Sequence, residues 1–286
     1  MPASPSSAPL RPTPAATELR IRTITLLQPM DWLLRAWRDI ARCGWVSFAH
    51  GLVLALGGVV IMAVAYDRFW LLAGAFSGFL VVAPILATSL YALSRAIERG
   101  EKVGCHVVLK TWLSWQNGHF SKWGNDYWCL VQFGALLGLA GTGWVLTSAA
   151  LITLMTPVPI STPLDFVQHV ILTRNGFLFE LWLFMGGLLA APIFASTAIA
   201  IPLLLDRRVT LLQAVLTSWR AVLANPLPMA LWAALIMGFT VLGLASALLG
   251  LIVVVPMLGH ASWHAYRDLI DVSGVPERDK SKRELD

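Results

Sequence analysis

Forty consecutive residues, 227–266, contain no Lys, Arg, Asp or Glu. One helix of that length would run about 60 Å at ~1.5 Å per residue, twice a hydrocarbon core of ~30 Å. The segment must therefore fold back on itself, and the small residues between Gly243 and Ala247 are where the reversal is expected. Each arm then has the length of a membrane crossing. The pair is read either as two full crossings or as a re-entrant hairpin, and both return the chain to the side it left.

Similar uncharged runs recur upstream, and with them a spacing. Gly78 and Pro84, Gly186 and Pro192, and Gly250 and Pro256 each place a glycine six residues before a proline, with Ala87, Ala195 and Gly259 three residues after it. The composition agrees with a membrane protein. Charged residues make up 13% of the chain against about 25% in soluble domains. A soluble all-helical protein with a large core would not need 13 tryptophans gathered near the ends of apolar runs. Continuous rather than alternating apolarity argues against a β-barrel.

The expected architecture is an all-α polytopic bundle of six transmembrane helices, at about residues 46–66, 69–93, 127–154, 177–205 and the two arms of 227–266. Residues 1–28 read as a disordered tail, 29–272 as the membrane domain and 273–286 as a charged tail. An amphipathic helix over 29–42 is expected to lie in the membrane interface, with Leu33, Leu34, Trp37, Ile40 and Ala41 on its apolar face. A shorter amphipathic piece is expected at 107–115, a short helix at 164–173 and another interfacial helix at 209–223. Trp37-Arg38 and Trp219-Arg220 repeat the same dipeptide ahead of the first and last hairpins. The chain thus reads as three copies of an interfacial helix plus a hairpin, at about 29–99, 105–208 and 209–271.

Of 21 Lys and Arg residues, all but Arg68 and Arg174 fall on one side of this arrangement. The positive-inside rule places that side, and both termini, in the cytoplasm. The formal charge of +5 is accounted for in this way, and the absence of an aromatic-interleaved basic patch gives no reason to expect nucleic acid as a partner. The three cysteines share no CxxC spacing and are expected to be reduced packing thiols.

Candidate sites are few. The prolines fall near the bilayer midplane, where each frees the carbonyl four residues earlier. Gly78, Pro84, Gly186, Pro192, Gly250 and Pro256 are therefore either packing positions or a midplane substrate site of the kind transporters build from broken helices. His260 and His264 stand four apart on one helix face and are the metal or haem candidates; His50, also toward the cytoplasmic end of its span, could join them only if its depth matched. A closed metal site needs more ligands than a pair. Glu180 is the single carboxylate inside an expected span, close to its outer end. No nucleotide, metalloprotease or serine-nucleophile motif is present, so no enzyme activity and no cofactor are expected. Arg35, Arg38, Arg42, Arg207, Arg208 and Arg220 are expected to bind anionic lipid headgroups.

Trp37-Arg38-Asp39 and the blocks at 83–101, 218–236 and 250–270 resemble a bacterial family of integral membrane proteins classed as a domain of unknown function. The likeness extends over roughly 25–272, and its most specific block is 250–270. Some family members are loosely labelled as a cytochrome c oxidase subunit. The resemblance implies a multi-pass protein of the bacterial inner membrane and brings no activity with it. The oxidase label would require inward histidines from several separate spans. The expected function is that of a non-enzymatic scaffold, accessory or lipid-organising protein, with membrane lipids and either a membrane protein or a second copy of itself as partners. The alternatives are a small transporter or channel and a haem- or metal-linked respiratory accessory protein.

Overall fold

A computed structural model describes residues 19–64, 87–117, 128–173 and 177–278. Gly78, Pro84 and Arg174 lie outside the described residues, as does most of the expected second span.

Proline at the first turn starts α1 (Gln28–Cys43), where its missing N–H costs nothing. Gly44, at φ 58°, ends α1 and releases the chain into α2 (Trp45–Val64). Residues 87–98 form α3, followed by α4 (Cys105–Asn117) and the long apolar α5 (Trp128–Met155). A short turn, α6 (Pro163–Phe166), continues into a wider helical turn at Val167–Ile171. Then come α7 (Leu178–Thr197) and α8 (Ala200–Asp206). Helix α9 (Leu211–Ala224) begins at a capping box in which Thr210 and Gln213 satisfy each other's backbone N–H groups. It runs into α10 (Pro226–Ala245), and α11 (Leu251–Leu269) completes the helices.

Four helical segments among the described residues are long and apolar enough to cross a membrane: Trp45–Val64, Leu130–Met155, Leu178–Asp206 and Pro226–Ala245. The expected reversal in the 40-residue run is found at residues 246–250. Ala247 and Leu248 adopt positive φ there, and the Ser246 hydroxyl accepts from Gly250 N–H while donating to the Gly243 carbonyl.

The organising helix is α11. It packs most extensively on α1 and α2 and also meets α8 and α10. Its contact with α2 is close because α2 presents Gly51. A methyl group there would lie 2.5 Å from the Ile252 Cα and carbonyl oxygen. Gly259 similarly admits the side chain of Leu90 from α3. Small residues at these crossings bring backbones together where no water is present to drive association.

Three expectations require correction. Residues 19–27, expected as part of a disordered tail, are ordered: β1 (Arg20–Ile21) pairs antiparallel with β2 (Ile270–Asp271), and the Asn225 side chain accepts from Ile24 N–H. Residues 273–278, likewise expected as tail, fold back on α8, with Arg278 N–H donating to the Asp206 carbonyl. The third concerns α1. Its buried face is Trp32, Ala36, Asp39, Ile40 and Cys43, whereas Leu34 and Trp37 are 61% and 52% exposed. The helix therefore has two apolar faces, one against α11 and one turned outward.

Span four, found at Leu178–Asp206, contains a break between α7 and α8. Pro192 sits inside α7, and the interruption comes at residues 198–199, where Ile199 N–H donates to the Ser218 hydroxyl of α9.

Candidate functional site

Where α1, α3 and α11 converge, Asp39 is turned inward and buried. Its carboxylate can only accept hydrogen bonds. Ser94 of α3 donates to Asp39 Oδ2 at 2.7 Å, and His264 Nε2 donates to the same oxygen at 2.9 Å. With its one proton given to Asp39, Ser94 must accept from His260 Nδ1, 2.7 Å away. His260 Nε2 is then an acceptor, and Ser47 of α2 donates to it at 2.9 Å. A continuous polar chain, Ser47–His260–Ser94–Asp39–His264, thus ties four helices together. Beside it, His50 donates from Nδ1 to the Val46 carbonyl at 2.8 Å and accepts at Nε2 from Ser89, also at 2.8 Å.

Burial works against the Asp39 charge, but the hydrogen bonds from His264 and Ser94 outweigh it and hold the carboxyl below its ordinary value. Burial pushes the Cys43 thiol up to about 11, so it is protonated at neutral pH.

The chain opens at His264 into a cleft of about 620 Å³ lined by Arg35, Arg38, Asp39, Arg42, Ser94, Ile97, Glu98, His264, Arg267 and Asp268. Two of its arginines are spoken for. Arg35 pairs with both carboxylate oxygens of Asp268 and with Asp31. Asp268 also accepts from Trp32 Nε1 at 2.8 Å and Gln28 Nε2 at 2.9 Å. Burial works against its charge, but the Arg35 guanidinium first, with these two donors, outweighs it and holds the carboxyl below its ordinary value. Arg267 pairs with Glu98, which takes a further hydrogen bond from Trp263 Nε1 at 3.1 Å. Arg38 and Arg42 are exposed, and neither has an ion-pair partner among the described residues.

A second ionic cluster lies against the C-terminal segment. Asp206 is buried and accepts from Tyr266 Oη at 2.8 Å and Arg207 Nε at 2.9 Å, with Arg99 at 3.5 Å. Arg99 and Arg207 also reach Glu277. Of the expected headgroup arginines, Arg35 and Arg207 are thus held in protein ion pairs, while Arg38, Arg42, Arg208 and Arg220 lie exposed.

The glycine–proline positions fall into different surroundings. Pro256 is buried, and the carbonyl it frees, that of Ile252, faces Gly51 of α2. Pro192 is exposed and borders an apolar groove of about 530 Å³ between α5, α7 and α9. Gly186 lies against the Trp144 ring, and Gly250 against Ser246 and Gly243. His260 and His264 share a face of α11 as the spacing predicts, but both nitrogens of His260 and both of His50 are engaged by protein groups. A metal or haem would have to displace them, and no cluster of three or more His, Cys, Asp or Glu suited to a metal occurs among the described residues. Glu180 is exposed.

Sequence reasoning missed Asp39, Ser94, Ser47 and Ser89. A signal for Asp39 was present: Trp32, Ala36, Asp39 and Cys43 follow helical i, i+4, i+7, i+11 spacing and form the buried stripe.

Residues 71–206 match the profile of a family described as predicted integral membrane protein (DUF2189). The resemblance to a membrane family of unknown function is thereby confirmed over the middle of the chain, and the 250–270 block lies outside the match. No curated protein and no solved structure matches the chain.

Proposed function

We propose that this integral membrane protein is a non-enzymatic scaffold of the bacterial inner membrane that organises anionic lipid on its cytoplasmic face. The observation that carries this reading is the outward face of α1, where exposed Met30, Leu34 and Trp37 run beside exposed Arg38 and Arg42, with exposed Trp45 following at the start of α2. Tryptophan and leucine at the headgroup boundary with arginine alongside is the chemistry of a helix lying in an anionic interface.

Helix α9 repeats the pattern. With Trp37-Arg38 set on Trp219-Arg220, exposed Met30, Leu34 and Trp37 fall on exposed Leu212, Leu216 and Trp219. Buried Trp32, Ala36 and Asp39 fall on buried Ala214, Ser218 and Ala221. This agreement supports a chain built from repeated units of an interfacial helix and a hairpin, with six crossings and both termini in the cytoplasm. Helix α11, at 19 residues or about 28 Å, is long enough to return across the bilayer. Its turn from α10 is separated from α9 by the 20 residues of α10. Partners in this reading are anionic phospholipid and a further membrane protein or second copy on the remaining apolar surface.

The test is to extract the protein in polymer-bounded native discs and compare the retained lipid with the bulk membrane. Enrichment of anionic phospholipid is expected. An annulus with the composition of the bulk membrane overturns the reading.

A further inference from the structure

Resting on the lipid-organising reading, we infer that the cleft between α1, α3 and α11 is a discrete site for the phosphodiester headgroup of a singly charged anionic phospholipid.

Charge complementarity comes first. Four arginines and three carboxylates line the cleft, a formal excess of one positive charge. That excess matches a phosphodiester monoanion and falls short of a dianionic phosphate. Arg38 and Arg42 carry it. They stand one helical turn apart on the same face, where like charges oppose each other unless an anion lies between them. Their guanidinium groups can each grip a phosphate oxygen pair. The other two arginines are fixed by Asp268 and Glu98, so the walls are already in place before a ligand enters.

The second observation is depth. Exposed Leu34 and Trp37 stand beside Arg38 and Arg42 on α1, and exposed Trp45 opens α2 just beyond them. A lipid whose phosphate sits between the arginines therefore has apolar surface beside it for its acyl chains. A soluble anion would gain nothing from that surface. The floor of the cleft is His264 and Ser94, both bound to Asp39. Glycerol hydroxyls of a headgroup can meet these groups, whereas an ethanolamine ammonium would add a second cation to an already positive cleft.

The experiment uses the full chain in mild detergent, titrated with equal amounts of phosphatidylglycerol and phosphatidylethanolamine and read by native mass spectrometry. One phosphatidylglycerol is expected to be retained preferentially. The R38Q/R42Q variant is expected to lower that preference about 30-fold, with each basic residue contributing about fivefold, and R38K/R42K to restore part of it. K102Q, at an exposed lysine between α3 and α4, is expected to leave it intact. Unchanged preference in R38Q/R42Q overturns the inference, as does displacement of the lipid by inorganic phosphate at equal concentration. Thermal unfolding of each variant identifies any that fails to fold, and R38Q or R42Q alone then carries the comparison. If native discs are enriched in anionic lipid while R38Q/R42Q binds normally, the cleft assignment falls and the lipid-organising reading stands. Discs without enrichment sink that reading instead.

Discussion

Asp39 of α1 and His264 of α11 meet at 2.9 Å, joining the first helix to the one that organises the fold. The contact continues inward through Ser94 to His260 and Ser47, so removing Asp39 strips acceptors from two elements at once. Asp39→Ala is expected to cost about 1–3 kcal/mol, the penalty for buried donors left without partners. A double-mutant cycle with His264→Ala, read by unfolding in mixed micelles, should give a non-zero coupling energy. Strict additivity would mean the two side chains do not act together.

Acid should weaken the same junction. The folded-state pKa values of Asp39 and Asp268 both lie below the ordinary 3.8. A depressed carboxylate contributes stability that is complete above the unfolded value and is lost as pH falls through the folded one. Stability should therefore hold from neutral pH to about 5 and decline below about 4. Asp39→Asn and Asp268→Asn should each flatten the decline. A profile insensitive to both substitutions would remove these carboxylates from the acid transition.

Gly51 and Gly57 lie on the same helix and should respond oppositely. A methyl at Gly51 meets the Ile252 backbone at 2.5 Å, and one at Gly57 meets nothing within 4 Å. Gly51→Ala is expected to destabilise by about 1–3 kcal/mol through forced separation of α2 and α11. Gly57→Ala should be neutral or slightly stabilising, since alanine is the better helix former. Equal effects at the two positions would show that α2 and α11 do not cross as described.

Thiol chemistry can read both packing and sidedness. Cys43 is buried with its thiol pushed up to about 11, and Cys105 is exposed. With Cys129 changed to serine, a charged maleimide at pH 7.5 should label Cys105 and leave Cys43 untouched until the protein is denatured. If the loop carrying Cys105 is cytoplasmic, labelling should occur in inverted membrane vesicles and be absent from sealed spheroplasts. The reverse pattern would invert the proposed orientation.

Much of the architecture was legible in the chain. An uncharged run of 40 residues cannot remain straight in a bilayer, and Ser246 to Gly250 reverse it close to the expected place. Pro29, Pro226 and the Thr210–Gln213 box start helices where they stand, because their effects are local to one turn. The candidate site was legible only in fragments. His260 and His264 were recognised as a pair that His50 could join only at matching depth, but the serines between them were not recognised, since a serine inside an apolar helix has no periodic signature.

The sequence by itself determined which segments are apolar helices, where they turn and that the protein is a membrane protein. Tertiary structure decided which face of α1 is buried. In water, apolar residues choose one side of a helix, but beside a bilayer both the protein core and the lipid accept them. Trp32, Ala36, Ile40 and Cys43 against α11, and Met30, Leu34 and Trp37 outward, are nearly equivalent stripes by hydropathy. Only the partners waiting on α3 and α11, Ser94 and His264, make Asp39 belong inside and fix that choice.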